Sequence, residues 1–404
     1  MQRLLQRLLL ALIVLGAPFK IYGGYQELTK SINHNGMFLF YLIDKSNNSL
    51  ISPLSINASL LMTYMGAKGK TAHEIASALH LKIPQDQVAS AYSSLSNRLT
   101  EEGSSLVINN SLWVGKKFPI LSSYESLVEE IFNGSIHKVD FTKGKLAAEK
   151  INEWVFNTSQ QSTAPFITPA MIPPSTKMIL LNNLTLKGSW GIPFKTENTE
   201  QETFHTGDGK KVFCEMMNQS GEFYYFEDGE TQIISLPIDN LNSHLAFIAF
   251  LPKKETQDIY NFYYAQDENK PEGFLSYLAN LRKKTVNLSL PKFSTSQKLD
   301  LLPLYRALGI QTALTNHADF SGINGKKDLM ISQAYEQSTL SIDEGGIFAS
   351  SSGGTSFSLK STRGNRGIPM VLNHPFLYII YDFDTNLLLF IGECQDPTSG
   401  GQPS

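Results

Sequence analysis

Apolar residues recur along this chain at two periods, one that suits helices and one that suits strands. After Ser52-Pro53, the residues Ile56, Leu60, Leu61, Tyr64 and Met65 fall at helical spacing as far as Gly66. Serine is placed to cap this helix, and proline stands where its missing N–H costs nothing. A second helix is predicted from Thr71 through Ile75, Ala76 and Leu79, with Glu74 three residues after Thr71 as a capping box. Val107–Val114, Met178–Leu186, Gln232–Leu236 and His244–Leu251 read as strands, several apolar on both faces and therefore central. Leu340 to Glu344 alternates apolar and polar, and Phe376–Ile380 and Leu387–Ile391 are apolar runs joined by Asp382-Phe383-Asp384-Thr385-Asn386. The chain is mixed helix and strand, with no internal repeat.

The pattern stops between Glu344 and Pro369, where glycine and serine dominate a stretch tethered to predicted strand on both sides. Connections longer than about a dozen residues inside a compact domain are rare and usually functional, because they add closure entropy without burial. The first half holds Ala349, three serines, two glycines and Thr355, small enough to pass between packed strands. The second half carries Leu359, Lys360, Arg363 and Arg366, side chains that chymotrypsin-like and trypsin-like proteases read. The stretch reads as protease bait. A linker between domains has the same composition, but only about 37 residues follow it, too few for a second domain.

A length of 404 residues with 42 % hydrophobic content supports one large core, and no linker-like break precedes the bait stretch. A net charge of -3 gives no general attraction for nucleic acid and no polybasic membrane surface. At the N-terminus, Arg3 and Arg7 precede the apolar run Leu8–Leu15 and the small residues Gly16, Ala17, Gly23 and Gly24. This is signal-peptide grammar over residues 1–24, with the cleavage point left open, and the run is far short of the roughly 20 residues that span a bilayer. Secretion is the expectation. Asn-x-Ser/Thr acceptors begin at Asn47, Asn57, Asn109, Asn133, Asn157, Asn183, Asn218 and Asn287; Asn47, Asn133, Asn157, Asn218 and Asn287 are the glycosylation candidates. Cys214 and Cys394 are the only cysteines, which excludes a disulfide scaffold and leaves a single bridge open. No Gly-x-Ser-x-Gly elbow and no His-Glu-x-x-His motif is present, so neither a hydrolase nor a metal site is expected. No cofactor is expected.

Five segments in order carry a resemblance that covers nearly the whole chain after residue 24. They are Asn48-Ser49-Leu50-Ile51-Ser52-Pro53-Leu54-Ser55-Ile56 with Met62, Gly66-Ala67, Gly69 and Thr71; Asn182-Asn183-Leu184-Thr185-Leu186-Lys187-Gly188-Ser189-Trp190 with Phe194; Leu290-Pro291-Lys292-Phe293; Ala318-Asp319-Phe320-Ser321-Gly322-Ile323; and His374-Pro375-Phe376 followed by Leu389-Phe390-Ile391-Gly392. The chain resembles a serpin. The resemblance implies an α+β fold of three β-sheets with about nine helices, a single domain over residues 25–397, a reactive loop at about 345–368 lying outside the large sheet A, and a flexible tail at 398–404. It also implies a monomer that is not an enzyme and whose partner is a serine protease. The protease attacks the loop, and at the acyl-enzyme stage the freed half inserts into sheet A. Some 14 residues at about 3.3 Å each would carry the loop end roughly 45 Å.

Residue by residue, the resemblance places Ser52, Ser55 and Asn182 in a polar shutter under the middle of sheet A, and Trp190 at its top. It pairs Glu344 with Lys292 there. Glu336 stands where the family shutter has histidine, so a buried carboxyl needs hydrogen bonds or a raised pKa. In the hinge Glu344, Gly346, Ile347, Phe348, Ala349, the bulky Ile347 and Phe348 replace the usual threonine and glutamate. Those two residues keep open a non-inhibitory carrier or chaperone. Counting seventeen residues from Glu344 selects Lys360-Ser361 as the reactive bond, whereas counting back from Pro375 selects the neighbourhood of Gly364, because the loop is about four residues longer than usual. Arg363-Gly364 is the other trypsin-like choice, and a bond after Phe357 or Leu359 would suit a chymotrypsin- or elastase-like enzyme. Heparin is disfavoured as a partner, since residues 85–98, which match the family's cofactor helix, have only Arg98 as a basic residue.

Overall fold

The computed structural model describes residues 24–100, 106–159, 165–239, 243–254, 273–347 and 367–400. The chain enters as α1 (Gly24–Leu42), crosses β1 (Ser49–Ile51) and turns at Ser52 into α2 (Pro53–Gly66). Ser52 is extended, its hydroxyl accepts the N–H of Ser55, and Pro53 fills the first turn. Nearly every residue of α2 is buried, so this helix runs inside the core and needs no polar face.

Helix α3 (Gly69–Ala78) starts two residues before Thr71, and its cap position, Lys68, makes no side-chain bond. The capping box predicted at Thr71 and Glu74 is therefore absent. Thr71 lies within the helix and accepts the N–H of Asp319 at 2.9 Å, while Glu74 reaches away to the N–H groups of Gln311 and Thr312 at 2.9 and 2.6 Å. With no capping hydroxyl beside it, the Glu74 carboxylate satisfies the open end of another turn.

There follow α4 (Gln85–Leu99), β2 (Leu106–Gly115), α5 (Ser122–Ile131), β3 (Gly134–Val139), α6 (Gly144–Ser159), β4 (Met178–Leu186) and β5 (Gly188–Ser189). The middle of the chain supplies β6 (Thr199–His205), β7 (Lys211–Glu227), β8 (Thr231–Pro237), β9 (Leu245–Pro252), a 3₁₀ segment at Gly273–Asn280, β10 (Arg282–Pro291), β11 (Phe293–Asp300), α7 (Leu301–Ala307) and α8 (Ser321–Asn324). It closes with β12 (Gln333–Ile342), β13 (Gly346–Ile347), β14 (Ile368–Val371), β15 (Phe376–Asp382) and β16 (Leu387–Cys394). The alternation seen from Leu340 is thus the end of a longer strand, which stops at Ile342 rather than Glu344. Strands β4, β15 and β16 are buried along their whole length, as unbroken apolar runs require.

The strands form two hydrogen-bonded networks. The first, sheet A, runs β3-β2-β4-β12-β13-β5 with β11 on the far side of β12; the second runs β1-β16-β15-β9-β8-β7-β10-β14 with β6 beside β7. The long β7 pairs its first half with β6, its last four residues with β8 and most of its length with β10, joining two of the three expected sheets into one network. The main core lies between the networks and around α2. A separate cluster, including Trp113, Ile151, Ile179, Leu181 and Tyr335, joins α6 to sheet A. Cys214 and Cys394 are both buried free thiols, and burial pushes Cys214 up to about 12.

Candidate functional site at the β4–β12 seam

Two parallel strands, β4 and β12, form the middle of sheet A, and they are zipped together only in part. Their register runs from Gln333 opposite Ile179 to Gln337 opposite Asn183 and ends there. Beyond that point Ser338–Ser341 and Leu184–Lys187 are not paired with each other. At the top, β13 closes the gap: Ile347 lies opposite Ile342 on one side and Gly188 on the other, antiparallel to both neighbours. The first residues of the expected external loop are therefore already a strand of the sheet, which corrects the reading of a loop wholly outside it from residue 345.

A tight turn brings β13 back against β12. The Asp343 carboxylate accepts the N–H groups of Gly345 at 2.8 Å and Gly346 at 3.2 Å, and the Asp343 N–H donates to Gly346 O at 3.1 Å. Burial raises the Asp343 carboxyl against the effect of those donors. Gly346 has φ 153°, and a Cβ there would meet Gly188 O at 2.1 Å and Ser189 Cα at 2.7 Å, so only glycine fits between the strands. Ile347 is 1 % exposed within the main core.

Trp190 fastens this turn from the β5 side. Its backbone N–H donates to Gly345 O at 2.9 Å, its indole N–H to Asp343 O at 2.7 Å, and the Phe194 N–H reaches Glu344 O at 2.9 Å. The Glu344 carboxylate lies 3.3 Å from Lys292 Nζ and accepts the Thr199 hydroxyl at 2.8 Å. Lys292 also lies 3.4 Å from Glu215 on β7. Burial alone would raise Glu344, but Thr199 and Lys292 hold it below its ordinary value. Burial opposes the charge on Lys292 in turn, and the two carboxylates hold its pKa above the usual value. Thr199 and Glu215 were not singled out in the sequence. Their only signal is strand pairing of β6 with β7, which no local pattern announces.

A polar cluster sits under the zipped part. Glu336 is fully buried and stands directly across the seam from Asn182. One carboxyl oxygen accepts the Ser52 N–H at 3.3 Å and the Ser338 hydroxyl; the other has no hydrogen-bond partner. The Ser55 hydroxyl and the Asn182 carbonyl oxygen are buried without partners as well. Asn182 donates to Asn110 Oδ1 at 2.5 Å, and Asn110 to Phe132 O at 2.8 Å. Asn110 was missed, although the doublets Asn109-Asn110 and Asn182-Asn183 lie opposite each other in β2 and β4.

Phe348, Ala349, Phe357, Leu359, Lys360, Ser361, Arg363 and Gly364 lie outside the described residues, as do residues 1–23. On the far side of the loop, β14 pairs in parallel with β10, and Asn287 Nδ2 donates to Gly367 O at 3.3 Å. Among the sequons, Asn47, Asn133, Asn157 and Asn287 are exposed and Asn218 is half-buried, whereas Asn57 and Asn183 are buried. Arg98 at the end of α4 is paired with Asp384 at 3.0 Å and stacked over Tyr25. No group of three or more potential metal ligands occurs among the described residues, and none of their helices is long and apolar enough to cross a membrane.

Comparison with known proteins bears on this arrangement. Serine protease inhibitor 42Dd of Drosophila melanogaster is 33% identical over 368 residues, covering 89% of this chain and 95% of its own. A serine protease inhibitor of Cyanea capillata is 30% identical over 360 residues, 87% of this chain and 93% of its own. The structure of native protease nexin-1 superposes with a TM-score of 0.82 at 23% identity, covering 92% of this chain and 100% of that one, and so shares the fold. Residues 30–397 match the family model described as Serpin (serine protease inhibitor). The chain belongs to the serpin family.

Proposed function

We propose that the protein is a secreted inhibitor of a serine endopeptidase, with the segment after Ile347 as its bait. The observation that carries this is the seating of Gly346-Ile347 between β12 and β5, antiparallel to both. A new central strand is thereby already begun. Below it, Ser338–Ser341 and Leu184–Lys187 are not paired with each other, a stretch of about 13 Å that matches the contour of four strand residues. Ile347 is buried in the core, so in an inserted strand alternation would turn Phe348 outward and Ala349 inward, with small residues following in the sequence.

In this reading the protease serine attacks the carbonyl carbon of Lys360, an ester forms, and the peptide bond to Ser361 breaks with release of its amine. The freed chain end then zips downward into sheet A before water reaches the ester. Arg363-Gly364 serves a trypsin-like enzyme equally, while Leu359 or Phe357 would serve an elastase- or chymotrypsin-like one. Arg3, Arg7 and Leu8–Leu15 support export, and exposed Asn47, Asn133, Asn157 and Asn287 support glycosylation.

The test is incubation with trypsin-, chymotrypsin- and elastase-like enzymes, followed by denaturing electrophoresis. A denaturation-resistant covalent complex is the expected product. Cleavage by all three without a complex favours the second reading, a carrier or chaperone, which the deep burial of Ile347 supports because a hinge held in the core slows further movement.

A further inference from the structure

Glu336 is a carboxyl placed where the two strands must part. It lies on β12 opposite Asn182 of β4, in the last but one residue pair of the zipped seam. Among the described residues, no Lys, Arg or His is recorded against its carboxyl. The N-terminal end of α2 contributes the Ser52 N–H and the hydroxyl of Ser55; β4 contributes Asn182; β12 contributes Ser338; β11 places Leu299 opposite it. The ionisable neighbour is Tyr305 on α7, whose hydroxyl bonds Ser59 at 3.1 Å and whose burial holds it neutral.

Three buried oxygens here, Glu336 Oε2, Asn182 Oδ1 and Ser55 Oγ, have no hydrogen-bond partner. An ionised carboxylate adds only acceptors to such a group. The Ser55 hydroxyl can donate, but Asn182 Oδ1 only accepts; across the seam from it a carboxylate sets acceptor against acceptor, whereas a carboxylic acid brings an O–H donor to that strand pair.

We propose that Glu336 is a proton-linked latch on the β4–β12 seam, protonated while the strands are zipped and ionised when they separate, so that the sheet opens more readily as pH rises. Desolvation raises the buried carboxyl to about 8, whereas water entering a parted seam returns it to the ordinary carboxylate range. The sign follows from linkage. A carboxyl raised in the closed state favours that state fully below its ordinary value, and this advantage is lost as pH climbs toward about 8. The latch bears on function through the loop insertion proposed above, and in that sense it rests on that reading.

The test uses intact protein and no protease, so it is independent of whether the loop inserts. Hydrogen exchange of peptides covering 178–186 and 333–342, corrected for intrinsic exchange, is compared in wild type and Glu336→Gln. Wild-type protection should fall relative to the variant by up to tenfold per pH unit between about pH 5 and pH 8, then level off. Ser338→Ala keeps the carboxyl and removes a donor that favours its charged form, so the midpoint of the profile should move to higher pH. This holds even if Glu336→Gln fails to fold. Identical profiles for wild type and Glu336→Gln, or an unmoved midpoint in Ser338→Ala, overturn the latch. If the latch holds while no protease complex forms, the inhibitory reading alone has failed.

Discussion

The two ends of the β4–β12 seam are held by different physics. At the lower end, five residue pairs close the strands directly over a buried, incompletely bonded polar cluster. At the upper end the strands do not meet, and a two-residue wedge fills the space with backbone bonds, a buried isoleucine and an ion pair. The lower end is fully paired in its backbone but poorly satisfied in its side chains; the upper end is held by backbone bonds and an ion pair, leaves the Ser341 hydroxyl unpartnered and takes its strand from the loop stem. The sheet is thus closed by its own two strands at one end and by a strand from the loop stem at the other.

The largest test of that contrast is to cut the chain between Thr355 and Arg366. If the wedge is the start of a full strand, nicked protein should melt tens of degrees higher than intact protein, since each kcal/mol at this size moves the midpoint by only a few degrees. Equal midpoints would mean that the wedge goes no further. A smaller effect is expected from Ile347→Ala, which empties a fully packed site and should cost about 2–4 kcal/mol in denaturant unfolding. A cost below about 1 kcal/mol would show that the hinge swings out of the sheet at little expense. Gly346→Ala should cost about 1–3 kcal/mol, because its Cβ meets the Gly188 carbonyl and the backbone must shift.

The smallest expected change is in equilibrium stability for Glu344→Gln, about 1 kcal/mol or less, as Lys292 keeps Glu215. Its pH dependence has a definite sign. Glu344 is held below its ordinary value, so its contribution is present above the normal carboxylate range and is lost as pH falls through the folded value. Glu344→Lys places two cations together at the wedge and should speed polymerisation on mild heating far more than it lowers the melting midpoint. A variant that stays monomeric where wild type begins to polymerise would remove the ion pair from any role in guarding the seam.

What could be read before the fold was known follows from the range of each interaction. Ser52-Pro53 announces α2, and the unbroken apolar run Met178–Leu186 announces β4, because a cap and a buried strand are local facts. Glu74 misleads for the opposite reason: its spacing from Thr71 fits a capping box, yet its partners are Gln311 and Thr312, more than two hundred residues away. The residues named for the seam were reachable through the family resemblance, whereas Thr199, Glu215 and Asn110 come into view only with strand register. The wedge itself was hidden, since nothing in Gly345-Gly346-Ile347 distinguishes a loop stem from a two-residue strand.

The parallel pairing of β14 with β10 has a consequence in contour length. Ile347 lies in sheet A, and the chain reaches the other network at Ile368. Carrying Lys360 some 45 Å down the seam would leave the seven residues from Ser361 to Gly367 to make the return, and those reach at most about 25 Å when fully stretched. The uncut chain is too short a tether to do both. Either β14 peels away from β10, giving up four residue pairs and the bonds from Asn287 and Gln232, or one peptide bond must break. If the loop inserts as proposed, covalent connectivity is what holds that insertion back, and a cut in the loop is what releases it.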